Sequence, residues 1–416
     1  MNLRSYVLVT ASYWGFTLTD GALRMLVLLH FHALGFSPLQ LSYLFLLYEG
    51  CGILTNLFGG WIGSRTGLKR TLFAGLCLQV LALVQLSLLQ EGWGRWISII
   101  YVMAAQALSG IAKDLTKMSA KSTVKFLARD KAGVENHSRL FTWVAVLTGS
   151  KNTLKGLGFF IGALLLSQVG FQWALWSMAS ALVLVLVTGL VGLREDIGKA
   201  REPVRFTHLF SRSREINRLS AARLFLFGSR DAWFVVGLPV FLKEVLDWSF
   251  SGIGAFMAAW VIGYGLVQAA APRLLRRSGS LADGLRATRT WMAVLLLVSL
   301  GLASAVQWLV YPVLSVLVGL GLFGFVFALN SSVHSYLILA FTDEDQVAVN
   351  VGFYYMANAC GRLLGTLVSG WAYLNGGLAL CLWVSCGMVG IAFLVSLLLP
   401  RVNGHVQGIP ARAFDG

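Results

Sequence analysis

Six basic side chains lie deep inside long apolar segments, where charge is costly. A Lys or Arg at the centre of a membrane helix costs roughly 2.5–3.5 kcal/mol on insertion scales. Only three acids, Asp20, Glu49 and Asp231, lie at comparable depth. We infer that the cations surround a water-filled cavity that a negatively charged ligand can enter. The six residues are Arg24, Lys151, Lys155, Arg223, Arg230 and Arg362.

The spacing of these cations places them on common helix faces. Lys151 and Lys155 are four residues apart, so they form a like-charged pair that repels itself without a counter-anion. Arg223 and Arg230 are seven apart and share a face of another segment. Lys151 and Arg230 each lie about 11 residues into their segments, roughly 16 Å, which is close to mid-bilayer. The alternative is that the outermost cations pair locally or reach the membrane surface, which suits Arg223 near a helix end.

A further row of basic residues follows the fourth apolar segment. Lys113, Lys117 and Lys121 recur every four residues and therefore face one way. One interpretation is an electrostatic funnel at a cytoplasmic mouth, which raises the local concentration of anions. The other is a face that meets solvent or lipid headgroups.

Acids and neutral polar groups complete the candidate site. Asp20 and Arg24 are four apart and are expected to pair, which leaves Glu49 and Asp231 as the freer acids. Either acid could carry a coupling proton or serve as a structural ion-pair partner. Four further polar side chains could donate hydrogen bonds to an oxyanion, although contacts between helices are the commoner use of Asn in membranes. They are Asn152, Asn330, His334 and Asn358.

The composition is that of a polytopic membrane protein. Of the 416 residues, 57% are hydrophobic and 12% charged, and the mean hydropathy is +0.74, which no soluble domain of this length shows. Apolar stretches of about 20 residues predict an all-α fold with twelve transmembrane helices. These are Tyr6–Leu34, Leu39–Ile62, Thr71–Leu89, Trp96–Leu115, Leu140–Gln168, Trp173–Leu193, Leu219–Leu246, Ser249–Ala271, Ala287–Val306, Tyr311–Phe341, Val347–Leu374 and Leu378–Leu399.

The distribution of Lys and Arg predicts the orientation. With the N-terminus inside, 25 of the 33 basic residues lie in cytoplasmic segments, 2 outside and 6 within the membrane, so both termini are expected in the cytoplasm. This rule also explains the net charge of +15 without nucleic acid as a partner. The first segment contains Asp20 and Arg24 and has no small-residue cleavage site, so we expect a retained helix.

The chain repeats itself weakly, which predicts two pseudo-symmetric six-helix bundles. Asp20 recurs as Asp231 at an offset of 211, and Lys155 and Gly158 recur as Arg362 and Gly365 at an offset of 207. Repeats of this kind place a substrate between the halves near the midplane. The expected boundaries are an N-terminal bundle at 1–193, a basic cytoplasmic linker at 194–218, a C-terminal bundle at 219–400 and a cytoplasmic tail at 401–416.

Several other functions find no support in the sequence. His30 and His32 are two apart and point about 200° apart on a helix, so they cannot chelate one metal ion, and the five cysteines have no metal-ligand spacing. No phosphate-binding loop occurs. An integral membrane enzyme would need a nucleophile, a base and an orienting group in recognisable spacing, which is missing. We therefore expect a protein that is not an enzyme and has no metal or cofactor.

Two sets of motifs resemble known families. Gly60–Arg70 resembles the loop between the second and third helices of the major facilitator superfamily, but Ser64 replaces its acid. Most of the chain resembles ArsJ-type organoarsenical efflux permeases of that superfamily. The matching stretches are Tyr13–Arg24 with His30-Phe31-His32, Ala105–Leu115, Gly149–Asn152 with Leu154–Gly156, and Arg230–Pro239.

The resemblance implies a substrate, which the cations alone do not identify. It implies export of 1-arseno-3-phosphoglycerate, which forms when glyceraldehyde-3-phosphate dehydrogenase uses arsenate, and hence a functional link to that enzyme and resistance to arsenate. The cations fit this substrate and equally fit uptake or exchange of phosphate or sugar phosphates. The direction of transport is not encoded in the residues.

Overall fold

The computed structural model describes residues 3–66, 68–90, 92–127, 137–193, 213–275, 281–308, 312–341 and 347–400. These residues form α-helices joined by short turns, without a strand among them. The helices are α1 Leu3–Ala33, α2 Pro38–Leu44, α3 Leu46–Thr66, α4 Leu68–Ser87, α5 Arg95–Leu127, α6 His137–Gly192, α7 Arg214–Phe234, α8 Gly237–Glu244, α9 Phe250–Leu274, α10 Leu281–Gln307, α11 Pro312–Ala340 and α12 Val347–Leu397.

Two of the expected spans are interrupted. The second is α2 followed by α3, with a break at Phe45, and α2 begins with a capping box in which Ser37 and Gln40 satisfy each other's backbone N–H groups. The seventh is α7 followed by α8, and Ser369 Oγ accepts hydrogen bonds from the backbone N–H groups of Val236 and Gly237 at the break. Buried backbone donors need such partners inside a membrane.

Helix α6 contains a reversal at Gly170. This glycine has φ 78°, a conformation that favours glycine. Before it, the chain runs parallel to α1, because Trp14 Nε1 donates to Ser150 Oγ at 2.9 Å and Ala22, further along α1, lies against Gly162. The first arm of α6 thus corresponds to the expected fifth span.

Beyond Gly170, the second arm of α6 runs antiparallel to α1. His30, late in α1, stacks on Phe171 with ring centroids 3.9 Å apart, whereas Gly15, early in α1, lies against Val185. The two arms are therefore a hairpin, and the second arm is the expected sixth span.

Helix α12 makes the same kind of hairpin in the second half. Gly377 has φ 60°. The first arm approaches α7 where Gly361 lies against Leu224, and the second arm approaches it where Arg218 Nη1 donates to the carbonyl of Leu398 at 2.6 Å. Helix α7 and α12 thus correspond to α1 and α6.

The chain is an integral membrane protein with two pseudo-symmetric six-helix halves, as expected. Eight helical stretches are long and apolar enough to cross a membrane, and two of these, 43 and 48 residues long, each contain a hairpin. The halves also pack closely on each other, because Gly254 of α9 lies against Ala163 of α6. Helix α7 begins at Arg214, inside the expected linker. Residues 194–212 and the tail 401–416 lie outside the described residues, and the division into domains stays a prediction.

We predict that Gly361→Val lowers the melting temperature of the purified protein in detergent. A Cβ at Gly361 would overlap the carbonyl oxygen of Leu224 and lie 3.0 Å from its Cα, and overpacking of this kind costs about 1–3 kcal/mol. Gly387→Ala is the matched control, because nothing lies within 4 Å of its Cβ position. Equal melting of both variants and the parent would contradict this packing.

Candidate functional site

A cavity of about 230 Å³ lies between the two halves. Its wall includes residues of α1, α3, α5 and α6 from the first half and of α7, α9, α11 and α12 from the second. Eight basic and four acidic side chains line it, so the wall carries more positive than negative charge. They are Arg24, Lys113, Lys117, Lys151, Lys155, Arg223, Arg230 and Arg362, with Asp20, Glu49, Asp114 and Asp231.

An ion pair at the centre of the cavity joins the two halves. Glu49 of α3 is 1% exposed, and its Oε1 accepts from Arg24 Nη1 at 3.1 Å and from Arg362 Nη2 at 2.5 Å. The two arginines come from different halves and share this single oxygen. Arg24 Nη2 and Glu49 Oε2 are buried without a hydrogen-bond partner among the described residues. The centre therefore retains unused hydrogen-bonding capacity.

The sequence repeat places equivalent acid–cation pairs in the two halves. In the first half, Lys155 Nζ lies 3.7 Å from Asp20 Oδ2. In the second half, Arg362 Nε donates to Asp231 Oδ2 at 3.2 Å. Arg230 also contacts Asp231, with Nε donating to Oδ1 at 2.7 Å. The offsets of 211 and 207 residues thus correspond to the same acid–cation pairing in both halves.

Two expectations about the acids are wrong. Asp20 does not pair with Arg24, because its Oδ1 accepts from Tyr48 Oη at 2.6 Å while Arg24 turns to Glu49. Glu49 and Asp231 are not the freer acids, since each contacts two arginines. Residues four apart can meet on a helix, but nothing in that spacing excludes stronger partners on a neighbouring helix.

Two lysines of the row in α5, Lys113 and Lys117, line the same cavity, and the electrostatic funnel stays a prediction. Lys113 Nζ lies 4.0 Å from the centroid of the Tyr48 ring. Lys117 Nζ donates to Asp114 Oδ1 at 3.2 Å and to Asn56 Oδ1 at 2.8 Å. The side chain of Lys121 lies outside the described residues. The cavity therefore extends from its central ion pairs along α5.

The structure separates the four polar candidates into two groups. Asn152 and Asn358 line the cavity. Asn330 and His334 are fully buried and are not among its lining residues. Asn330 Nδ2 donates to the carbonyl of Trp291 at 2.9 Å, which is the helix–helix contact that Asn commonly makes in membranes.

Sequence reasoning missed several neutral lining residues. Tyr264 and Gln268 of α9 contact Ser331 Oγ at 3.3 and 3.0 Å, and Gln268 Oε1 accepts from Asn152 Nδ2 at 3.1 Å. This chain links the two halves next to the cavity. A single polar residue in an apolar helix is a weak signal in the sequence. Only the packing of α9 on α6 shows which polar residues of α9 lie at the cavity. Asp114 was overlooked because it lies among lysines.

Comparisons with known proteins agree with this architecture. A family model described as Major Facilitator Superfamily matches residues 6–282. Among curated proteins, no sequence matches the chain. A crystal structure of a mutant of the nucleoside transporter NupG superposes with a TM-score of 0.70 at 14% identity, covering 96% of this chain and 99% of that one. A crystal structure of a bacterial homologue of the iron transporter ferroportin, in an inward-facing state, superposes with a TM-score of 0.68 at 17% identity. It covers 95% of this chain and 99% of that one. At these identities the likeness shows the fold.

We predict that Asp20→Asn destabilises the protein more than the double variant D20N/K155Q does. Removing one partner of a buried ion pair leaves an uncompensated charge, at a cost of about 3–5 kcal/mol, whereas removing both does not. Thermal melting in detergent without ligand measures the difference. Asp247→Asn is the control, because the Lys243–Asp247 pair is exposed. A double variant less stable than D20N would show that these residues are not each other's counter-ions.

Proposed function

The chain belongs to the major facilitator superfamily and is a transporter of a small molecule across a lipid bilayer, not an enzyme; from this premise we propose that it is a secondary active exporter of an organic anion. The substrate that we propose is 1-arseno-3-phosphoglycerate, whose release would confer resistance to arsenate. We further propose that the protein lies in a bacterial inner membrane with both termini in the cytoplasm.

The observation that carries the proposal is the excess of cations on the cavity wall. Eight basic side chains face four carboxylates, and buried charges in a membrane need compensation. An anion with one or more negative charges supplies it. Guanidinium and ammonium groups form strong charge-assisted hydrogen bonds with phosphate-like oxygens, so a phosphate or arsenate group matches the donors present.

The central ion pair suggests how binding couples to movement of the halves. Arg24 and Arg362 share one oxygen of Glu49, and Arg24 Nη2 has no partner. A tetrahedral oxyanion offers more acceptor oxygens and therefore replaces Glu49 favourably. Its arrival releases the contact between α3 and Arg362, which joins the two halves. Alternating access requires such a contact to be breakable.

The identity of the substrate rests on the resemblance, and transport measurements test it. Everted vesicles are supplied with glyceraldehyde-3-phosphate, its dehydrogenase, NAD⁺ and arsenate, which generate the ester continuously. We expect arsenic to accumulate in the vesicles only when the dehydrogenase is present. Accumulation of arsenate without the enzyme, or exchange of labelled phosphate in its place, would support the alternative of phosphate or organophosphate uptake and exchange.

We predict that Lys151→Ala, Lys155→Ala and Arg230→Ala each abolish export while membrane abundance stays near the parent level. Each change removes a charge-assisted contact to the anion. Lys155→Arg should be tolerated only in part, because a planar guanidinium does not replace a compact ammonium. Arg286→Ala is the matched control, since Arg286 is exposed and pairs with Asp283. Normal export by two of the three alanine variants would place the site elsewhere.

We also predict proton antiport with Asp231 or Glu49 as the carrier. Protonation of either carboxylate would release two arginines to the substrate, because each acid contacts two of them. Efflux from the cytoplasmic side is measured in everted vesicles with and without a proton gradient, in the parent, Asp231→Asn and Glu49→Gln. Equal efflux with and without the proton gradient in the parent would exclude coupling to protons. Coupling that survives in both variants would assign the carrier to another group.

A further inference from the structure

Arg223 is the cavity cation whose surroundings differ most from those of the central group. Its side chain is 5% exposed, yet it lines the cavity. Nε donates to Asn358 Oδ1 at 3.2 Å, and Nη1 donates to the carbonyl of Ser331 at 3.1 Å. Among the residues that the structure describes, no carboxylate lies within 4.0 Å of it. It does not reach the membrane surface, which had been the alternative interpretation of its position.

The charge balance distinguishes Arg223 from the central arginines. At the centre, three carboxylates contact Arg24, Lys155, Arg230 and Arg362. Arg223 has neutral partners only, and a buried ion without a counter-ion costs several kcal/mol. The Nη2 group has no acceptor among the described residues. Arg223 is therefore a position where uncompensated positive charge attracts an anion.

The neighbours of Arg223 are suited to holding an anionic group. Asn358 and Gln268 line the cavity beside it, and Gln268 Nε2 donates to Ser331 Oγ, next to the carbonyl that Arg223 binds. These contacts fix the guanidinium on α11 and α12. The face of the guanidinium stacks on Phe227, with Cζ 3.9 Å from the ring centroid. Fixed, planar donors of this kind are preorganised for carboxylate or phosphate.

Phe227 sets the distance between Arg223 and the centre. Arg230 Cζ lies 5.1 Å from the same ring centroid, so the two guanidinium carbons are at most 9.0 Å apart, the sum of the two distances. Phe227 is four residues after Arg223 and three before Arg230, which places its ring between them on one helix face. Two cationic positions thus adjoin one apolar ring, close enough for one small molecule to reach both.

We propose that Arg223, with Asn358 and Gln268, forms a second anion subsite, and that the substrate is a small organic anion with an anionic group at each end. One end binds at the Arg24–Arg362 centre and the other at Arg223, with the carbon chain passing Phe227. This inference rests on the proposed anion transport and specifies which residues bind the second anionic group of the substrate. A substrate with one anionic end leaves the Arg223 charge uncompensated and binds more weakly.

Two probes that differ in one group test the second subsite. 3-Phosphoglycerate carries a phosphate and a carboxylate, and glycerol 3-phosphate carries a hydroxymethyl group in place of the carboxylate. Their dissociation constants are measured by calorimetry on the purified full chain in detergent, for the parent, Arg223→Gln, Arg223→Lys and Arg362→Gln. Melting of each variant without ligand checks folding.

We expect the parent to bind 3-phosphoglycerate more tightly than glycerol 3-phosphate. Arg223→Gln should weaken the binding of 3-phosphoglycerate about 10- to 100-fold, which is the effect of a lost charged hydrogen bond. The binding of glycerol 3-phosphate should stay almost unchanged. Arg223→Lys should recover part of the affinity, and Arg362→Gln should weaken both probes. The melting temperature of Arg223→Gln should not fall, because the change removes an uncompensated charge.

Three outcomes would overturn the proposal. Equal weakening of both probes by Arg223→Gln would mean that one oxyanion bridges Arg223 and the centre. If Arg223→Gln binds both probes as tightly as the parent does, Arg223 contributes to the helix packing alone. If the parent binds neither probe while Arg223→Gln folds normally, the anion site itself is refuted and the second subsite with it.

Discussion

The structure depends on how charge buried in a membrane is compensated. Arg24, Arg362 and Glu49 form the clearest case, because one carboxylate oxygen serves two guanidinium groups from different halves. Neither half could bury its arginine alone without a large cost. The ion pair is therefore also a direct contact between α3 of the first half and α12 of the second.

The same compensation is incomplete elsewhere on the cavity wall. Each half contributes an acid–cation pair, Asp20 with Lys155 and Asp231 with Arg362, so the two sides of the cavity resemble each other. The symmetry ends at Arg223 and Lys113, which have no acidic partner within 4.0 Å among the described residues. An anion is attracted to the positions where the repeat leaves positive charge uncompensated.

Much of this architecture could be predicted from the sequence because it follows from periodic signals. Apolar segments of about 20 residues predicted the spans, and matched offsets of Asp20 and Lys155 with Asp231 and Arg362 predicted the equivalence of the halves. The breaks at Phe45 and Val236 were not predicted, because the apolar runs continue across both, although Gly237 and Pro239 follow the second break. Ser369 stabilises the break at Val236. Local spacing also paired Asp20 with Arg24 wrongly, because ion pairs between helices depend on packing that a single helix does not encode.

The central claim is that a tetrahedral oxyanion binds in the cavity between the halves. Crystals grown with arsenate and measured at the arsenic absorption edge would locate it without assumptions about transport. The expected result is an anomalous peak inside the cavity, within hydrogen-bonding distance of Arg24 or Arg362 and lost in crystals of Arg362→Gln. Peaks confined to the outer surface, with the Glu49–Arg362 contact intact and the cavity holding no arsenic, would contradict the claim.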